Sequence, residues 1–155
     1  MQLFQKAADQ GAKAHFKLGK LFSKGRGVAQ SDEEAAQLYT KAAEPGHAEA
    51  QCELGALFKE GCGVVQNYVE AVQWYTKAAV QGHAEAQFHL GNLLEMGQGV
   101  EQNEAAAAQW YTNAAIEGLG KAHLHLGLML FESGRGVEQD IMKAAQWWKA
   151  QLIKV

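Results

Sequence analysis

The chain is poor in several of the things that would assign it to a function class. Its 155 residues hold one proline, Pro45, and two cysteines, Cys52 and Cys62. One proline and few β-branched residues against an alanine-rich background favour helix throughout. With Cys52 in mid-helix and Cys62 in the loop that follows, about 10–15 Å of helix rise separates the thiols, too far for a bridge. Free thiols are expected. Two cysteines leave the compartment open and lean toward a reducing, cytoplasmic one. Positive charge is not in excess: the net charge is −3, so there is no global field to gather nucleic acid or an acidic membrane surface. No apolar run is long enough to span a bilayer, and Met1 is not followed by a signal-type segment.

What the chain has is repetition. The stretch Ala48-Glu49-Ala50-Gln51-Cys52-Glu53-Leu54-Gly55 runs on through Gly61-Cys62-Gly63-Val64 to Trp74-Tyr75-Thr76-Lys77-Ala78-Ala79. Shifted by 36 it returns as Ala84 to Gly91, Gly97-Gln98-Gly99-Val100, and Trp110 to Ala115. Such a period marks a stacked array of helix pairs. The expected fold is all-α, an α/α solenoid, with residues 1–155 forming one domain. A half-repeat (1–10) precedes four repeats: 11–45, 46–81, 82–117 and 118–155. Gln2 to Ala8 aligns with Gln73 to Ala79. The chain therefore opens inside a second helix whose first is missing: either it is cut from a longer protein, the reading preferred here, or the half-repeat serves as an N-terminal cap.

Each repeat reads as helix A, a glycine turn and helix B. In repeat one, helix A is predicted over Ala12–Lys24 and helix B over Ser31–Glu44. Gly25 and Gly27, Gly61 and Gly63, Gly97 and Gly99, and Gly134 and Gly136 end the A helices, because glycine adopts the left-handed conformation at low cost. Ser31, Asn67, Asn103 and Asp140 are N-caps for the B helices. On helix B, Ala71, Trp74, Tyr75 and Ala78 share one face. On helix A, Ala50, Leu54, Leu57 and Phe58 do so. Gly19, Gly55, Gly91 and Gly127 fall mid-helix, at about 1 kcal/mol each against alanine. Four in register imply a close approach that a methyl group would obstruct.

These residues resemble the Sel-1-like repeat family, relatives of the tetratricopeptide repeats with a longer A–B loop. Repeats two and three carry the pattern almost intact. Leu38 departs from it in repeat one, and Gln151-Leu152 depart in repeat four. The resemblance implies a right-handed α/α superhelix, with the A helices lining the concave side, in proteins that act as adaptors. Disulfide-rich secreted relatives exist, but this chain lacks their paired cysteines.

The glycine turns lack the third glycine and preceding strand of a dinucleotide fingerprint, and the lysine-serine/threonine of a P-loop. They are read as structural turns. His47 and His83 are expected at exposed turns between repeats. His89 and His125 share one column of neighbouring A helices, with no clear third metal ligand. The histidines read as surface or partner-contact residues. No nucleophile-base set stands out. Neither a cofactor nor an enzyme activity is expected. A hydrolase reading rests only on distant relatives reported to bind β-lactams.

The sharper signal is the polar arc of the A helices. Its columns read Lys13, Lys17, Lys20, Lys24 in repeat one and Glu49, Glu53, Ala56, Glu60 in repeat two. In repeat three they read Glu85, His89, Asn92, Met96, and in repeat four Lys121, His125, Leu128, Glu132. One reading is a solvated face with lysine and glutamate ladders paired between repeats, at about 0–1 kcal/mol per pair. The other is a groove, graded from charged to apolar, that takes a protein or peptide partner. The residues expected to carry it are Lys13, Lys17, Lys20, Glu49, Glu53, Phe88, His89, Asn92, Lys121, His125 and Leu128. The column Phe16, Cys52, Phe88, Leu124 flanks it and also fits core packing between A helices. A separate possibility is homo-oligomerisation through apolar ends, Leu3 and Phe4 at one and Trp147, Trp148, Leu152, Ile153 and Val155 at the other.

Overall fold

The computed structural model of the chain describes residues 2–132 and 135–153, without the side chains of residues 3–8. Gly134, Val155 and the side chains of Leu3 and Phe4 therefore lie outside the described residues. Among those described there are eight helices and no strand: α1 (Gln2–Lys24), α2 (Asp32–Ala43), α3 (Ala48–Glu60), α4 (Tyr68–Ala79), α5 (Ala84–Met96), α6 (Glu104–Ile116), α7 (Gly120–Phe131) and α8 (Ile141–Ile153). They form two compact units, Met1–Gln81 and Gly82–Val155. In the first, α1 pairs with α2, α3 pairs with α4, and α3 packs on α2. The second repeats this with α5–α6, α7–α8 and α7 on α6.

The B helices begin where their caps predict. Ser31 Oγ accepts from the Glu34 amide at 3.2 Å and Asn67 Oδ1 from Val69 and Glu70 at 3.0 and 3.1 Å. Asn103 and Asp140 accept from Ala106 and Lys143, both at 2.9 Å. Helix α3 ends at Gly61, left-handed at φ 73°, whose amide returns to Leu57. The second glycine of the same turn has a different task. A side chain on Gly63 would run into the backbone of Asp32 in the first turn of α2, and one on Gly136 would meet Glu104 and Ala105 in α6. Those glycines set the spacing of successive repeats.

The core is alanine and tyrosine. Ala35, Tyr39 and Ala42, with their counterparts Ala71, Tyr75, Ala78 and Ala107, Tyr111, Ala114, are fully or almost fully buried. The paired tryptophans Trp74 and Trp110, expected on the same face, are only half-buried. The mid-helix glycines explain the tyrosines. A Cβ on Gly19, Gly55 or Gly91 would stand 2.7, 2.9 or 2.7 Å from the ring of Tyr39, Tyr75 or Tyr111, and one on Gly127 would overlap Trp148. Each glycine lets the ring from helix B of its own repeat come up against the backbone of helix A.

Two expectations are corrected. α1 is one helix through Gly11, where a break between a half-repeat and helix A was expected. Gly46 and Gly82 take positive φ and are each followed by a histidine that caps the next helix. Gly11 is followed directly by Ala12, without the residue that His47, His83 and Leu119 supply after Gly46, Gly82 and Gly118, and it has no positive φ, so the i→i−4 ladder simply continues. His47 and His83 are not exposed turn residues. Their Nδ1 atoms accept from the Ala50 and Ala86 amides at 3.2 and 3.3 Å, capping α3 and α5. The two cysteines are unpaired, Cys52 buried and Cys62 half-buried.

Candidate functional site

In the first unit the polar arc lies on α1 and α3. Lys13, Lys17, Lys20 and Lys24 recur at i, i+4, i+7 and i+11, so they stand along one side of α1. All are exposed except Lys20, which is half-buried with its ammonium over the Phe16 ring at 5.4 Å. Phe16 itself is core, packed on Tyr39 at 5.8 Å and on the His47 imidazole at 4.8 Å. Glu49 and Glu53 are exposed on α3. The paired ladder does not form. Among the described residues no ion pair joins these lysines to Glu49, Glu53 or Glu60. Glu60 instead pairs with Lys59 at 3.2 Å, and Glu49 lies 3.9 Å from His47. Like charges at i,i+4 repel by about 0.2–0.5 kcal/mol per pair, so α1 carries a basic stripe at a small cost in stability. Burial, with the charge of Glu53 in support, pushes the Tyr39 phenol up to about 12 against a hydrogen bond with Ser23.

In the second unit the same arc is a closed network. Lys121 forms an ion pair with Glu85, which also lies 3.9 Å from His89. The Lys121 ammonium sits 4.6 Å over the Phe88 ring. His125 meets Phe88 edge-on at 5.1 Å and Tyr111 at 5.3 Å. The Tyr111 hydroxyl donates to Glu95 at 2.6 Å and lies 3.1 Å from the Asn92 side-chain oxygen. Arg135, from the loop between α7 and α8, pairs with Glu95 and with Glu132, the latter at 2.7 Å. Burial first, then the hydrogen bond to Glu95 and its charge, raise the Tyr111 phenol strongly, with Arg135 opposing.

Of the expected contact residues, Lys13, Lys17, Glu49, Glu53, Lys121 and Leu128 are exposed, and Lys20, His89, Asn92 and His125 are half-buried. Phe88 is 7% exposed. It is a buried platform under Lys121 and His125 rather than an open anchor. In its column Leu124 departs from the rest, being 52% exposed. His123 is core, not surface: it is 4% exposed, with Nδ1 3.1 Å from the Leu119 carbonyl. Among the described residues no three histidine, cysteine or acidic side chains come together to hold a metal, and no helix is long and apolar enough to cross a membrane. Sequence reasoning put Tyr111 on the apolar face of helix B but did not join it to Glu95 and Arg135. The tyrosines had a signal, the constant 20-residue interval from glycine to tyrosine at 19/39, 55/75 and 91/111. The Arg135–Glu95 pair, 40 residues apart, had none.

The Sel1 repeat pattern matches residues 1–11, 12–47, 48–83, 84–119 and 120–150. A Sel1 repeat protein from Oxalobacter formigenes has a similar structure, with a TM-score of 0.86 and 41% identity over 92% of this chain and 58% of that one. A protective antigen of uropathogenic Escherichia coli with an SLR fold superposes with a TM-score of 0.89 and 36% identity, over 97% of this chain and 32% of that one. The chain thus spans about three-fifths and one-third of these two proteins. Helicobacter pylori cysteine rich protein B, at 24% identity and a TM-score of 0.60 over 76% of this chain and 93% of that one, shares the fold alone. No curated protein sequence matches the chain. The architecture is that of an all-α repeat solenoid.

Proposed function

The chain belongs to the Sel1 repeat family, whose members generally mediate protein–protein interactions, and we propose that it is a non-catalytic scaffold binding a protein or peptide through the polar faces of its A helices. The observation that carries this reading is the lysine stripe of α1, which forms no ion pair with the neighbouring glutamates among the described residues. An acidic segment laid along α1 would supply the missing countercharge. In the second unit, Lys121, His89, Asn92, His125 and Leu128 offer a charged, aromatic and apolar mixture of the kind found in recognition surfaces. The test is the double substitution Lys17→Glu/Lys20→Glu in the full chain. Partner capture should fall by about tenfold or more, since two positive charges at the contact become negative, a net change of about four units of charge. The melting temperature should stay within about 2 °C, because these side chains form no ion pair with the neighbouring glutamates. Unchanged capture would remove the α1 face from the reading.

A second reading, self-association, is favoured by one observation. In α5 the column Phe88, Asn92, Glu95 is covered by Lys121, His125 and Arg135 of the following helix pair. The matching column of α7, Leu124, Leu128 and Phe131, is 52%, 38% and 48% exposed, and Ile141, Met142, Leu152 and Ile153 of α8 are more than half exposed. A second copy could cover this face. Light scattering across a concentration series tests it: a rise in mass that Leu128→Lys abolishes supports self-association, and constant monomer mass rejects it.

A further inference from the structure

On the other side of α7 from Lys121 and His125, by about 140° of helix rotation, the second unit has a hollow of about 380 Å³. Its walls are Ala105 and Ala108 of α6, Leu126 and Leu130 of α7, Val137 of the loop, and Trp147 of α8. The space comes from α6. In repeat two the matching positions are Val69 and Val72, and the two alanines leave the floor open. The Trp147 wall is braced from behind by the buried His123 imidazole, edge-on at 5.2 Å. The size is that of a small recognition pocket, apolar with a few polar groups at the mouth.

The hollow does not end at Lys143. A second one of about 390 Å³ continues from it, sharing Leu130, Val137 and Lys143, and is lined beyond them by Glu138, Gln139 and Asp140. Glu104 stands beside the same loop, close against Gly136. The lining of this second hollow thus holds one ammonium and two carboxylates, in the unit that carries all of the chain's net charge of −3. The form is elongated, with an apolar lobe followed by an acidic one.

We propose that this trough is a second binding site, distinct from the A-helix face, and that its occupant is a polypeptide segment in which an aromatic side chain is followed by lysine or arginine. The ring fills the apolar lobe against Trp147. The cation beside it meets Glu138 and Asp140, and Lys143 tempers the attraction. An acidic neighbour to the aromatic would instead face the carboxylates.

The experiment is an NMR titration of the ¹⁵N-labelled full chain with acetyl-Trp-Lys-Lys-amide and, separately, acetyl-Trp-Glu-Glu-amide. The basic peptide should shift the Ala105 and Val137 amides and the Trp147 indole, and the acidic one should bind about tenfold more weakly. Lys143→Glu should tighten the basic peptide several-fold, a gain that a folding defect could not imitate. Ala105→Trp should fill the lobe and abolish the shifts. Lys17→Glu/Lys20→Glu should leave them intact, so the failure of the A-helix reading and the failure of this one are told apart. Absence of shifts at the trough, equal binding of the two peptides, or indifference to Lys143→Glu would each overturn the proposal.

Discussion

Replacing Gly91 by alanine sets two effects of opposite sign against each other. In a helix interior the change is worth about 1 kcal/mol in favour of alanine. Against it stands Tyr111, whose ring atoms would lie 2.7 and 2.9 Å from the new methyl group. Carbon atoms in contact rest at about 3.5–4.0 Å, so the ring would have to retreat by roughly 0.8 Å or more. It has nowhere to go: Tyr111 is fully buried, and its hydroxyl is tied to Glu95 at 2.6 Å. Overpacking of this sort costs about 1–3 kcal/mol, and straining a hydrogen bond to a charged group puts a further part of about 1.5–3 kcal/mol at risk. The net expectation is a loss of about 2–3 kcal/mol, or a fall in melting temperature of roughly 4–12 °C for a chain of this size. Gly11→Ala is the control. Among the described residues nothing lies within 4 Å of its new methyl group, so the helix gain of up to about 1 kcal/mol should appear undiminished. Calorimetry on the two variants gives the answer. In the double variant Gly91→Ala/Tyr111→Leu the glycine penalty should shrink by more than about 1 kcal/mol, the coupling expected of residues in direct contact. A Gly91→Ala protein as stable as the parent would refute the idea that the glycine exists to admit the ring.

Two further outcomes follow from the same network. Tyr39 has its phenol raised to about 12, above the usual value of about 10 in the unfolded chain. The unfolded chain therefore loses this proton first, so the stabilisation is fully present below about pH 10 and is lost as pH rises through about 12. Phenolate absorbance should show the delayed ionisation, which Tyr39→Phe removes; a Tyr39 that titrates normally would contradict the burial argument. Arg135→Ala should cost about 1–2 kcal/mol in denaturant melts, discounted for the partial exposure of the pair, because it strips a partner from Glu95, whose side chain is 15% exposed. Stability unchanged by that substitution would mean that the loop of repeat four is not held by its ion pair.

Much of the fold was legible because the chemistry is local. The caps Ser31, Asn67, Asn103 and Asp140 act within their own first turns, and glycine turns need no distant partner. The α1 boundary was missed because a glycine alone does not stop a helix. The breaks at Gly46, Gly82 and Gly118 each have a residue between the glycine and the next helix, His47, His83 or Leu119, whereas Gly11 is followed directly by Ala12. His47 and His83 escaped notice as caps because an imidazole nitrogen accepts an amide less commonly than a carboxamide or hydroxyl oxygen does. The candidate site was legible as columns but not as contacts. Period and helix rotation identify which side chains share an arc, and they correctly place Lys17 beside Lys20. They do not reveal that Lys121 turns inward over Phe88, or that Arg135 reaches Glu95, since pairings across helices depend on the packing itself.

A partner is expected to lie on the A-helix faces. Hydrogen–deuterium exchange of the chain alone and with its co-purified partner bears on this directly. Slowed exchange is predicted in α1 and α3 around Lys17 and Glu53 and in α5 and α7 around His89 and His125, with the solvent faces of α2 and α4 unchanged. Protection confined to the B helices, with α1 and α5 exchanging as in the free chain, would contradict it.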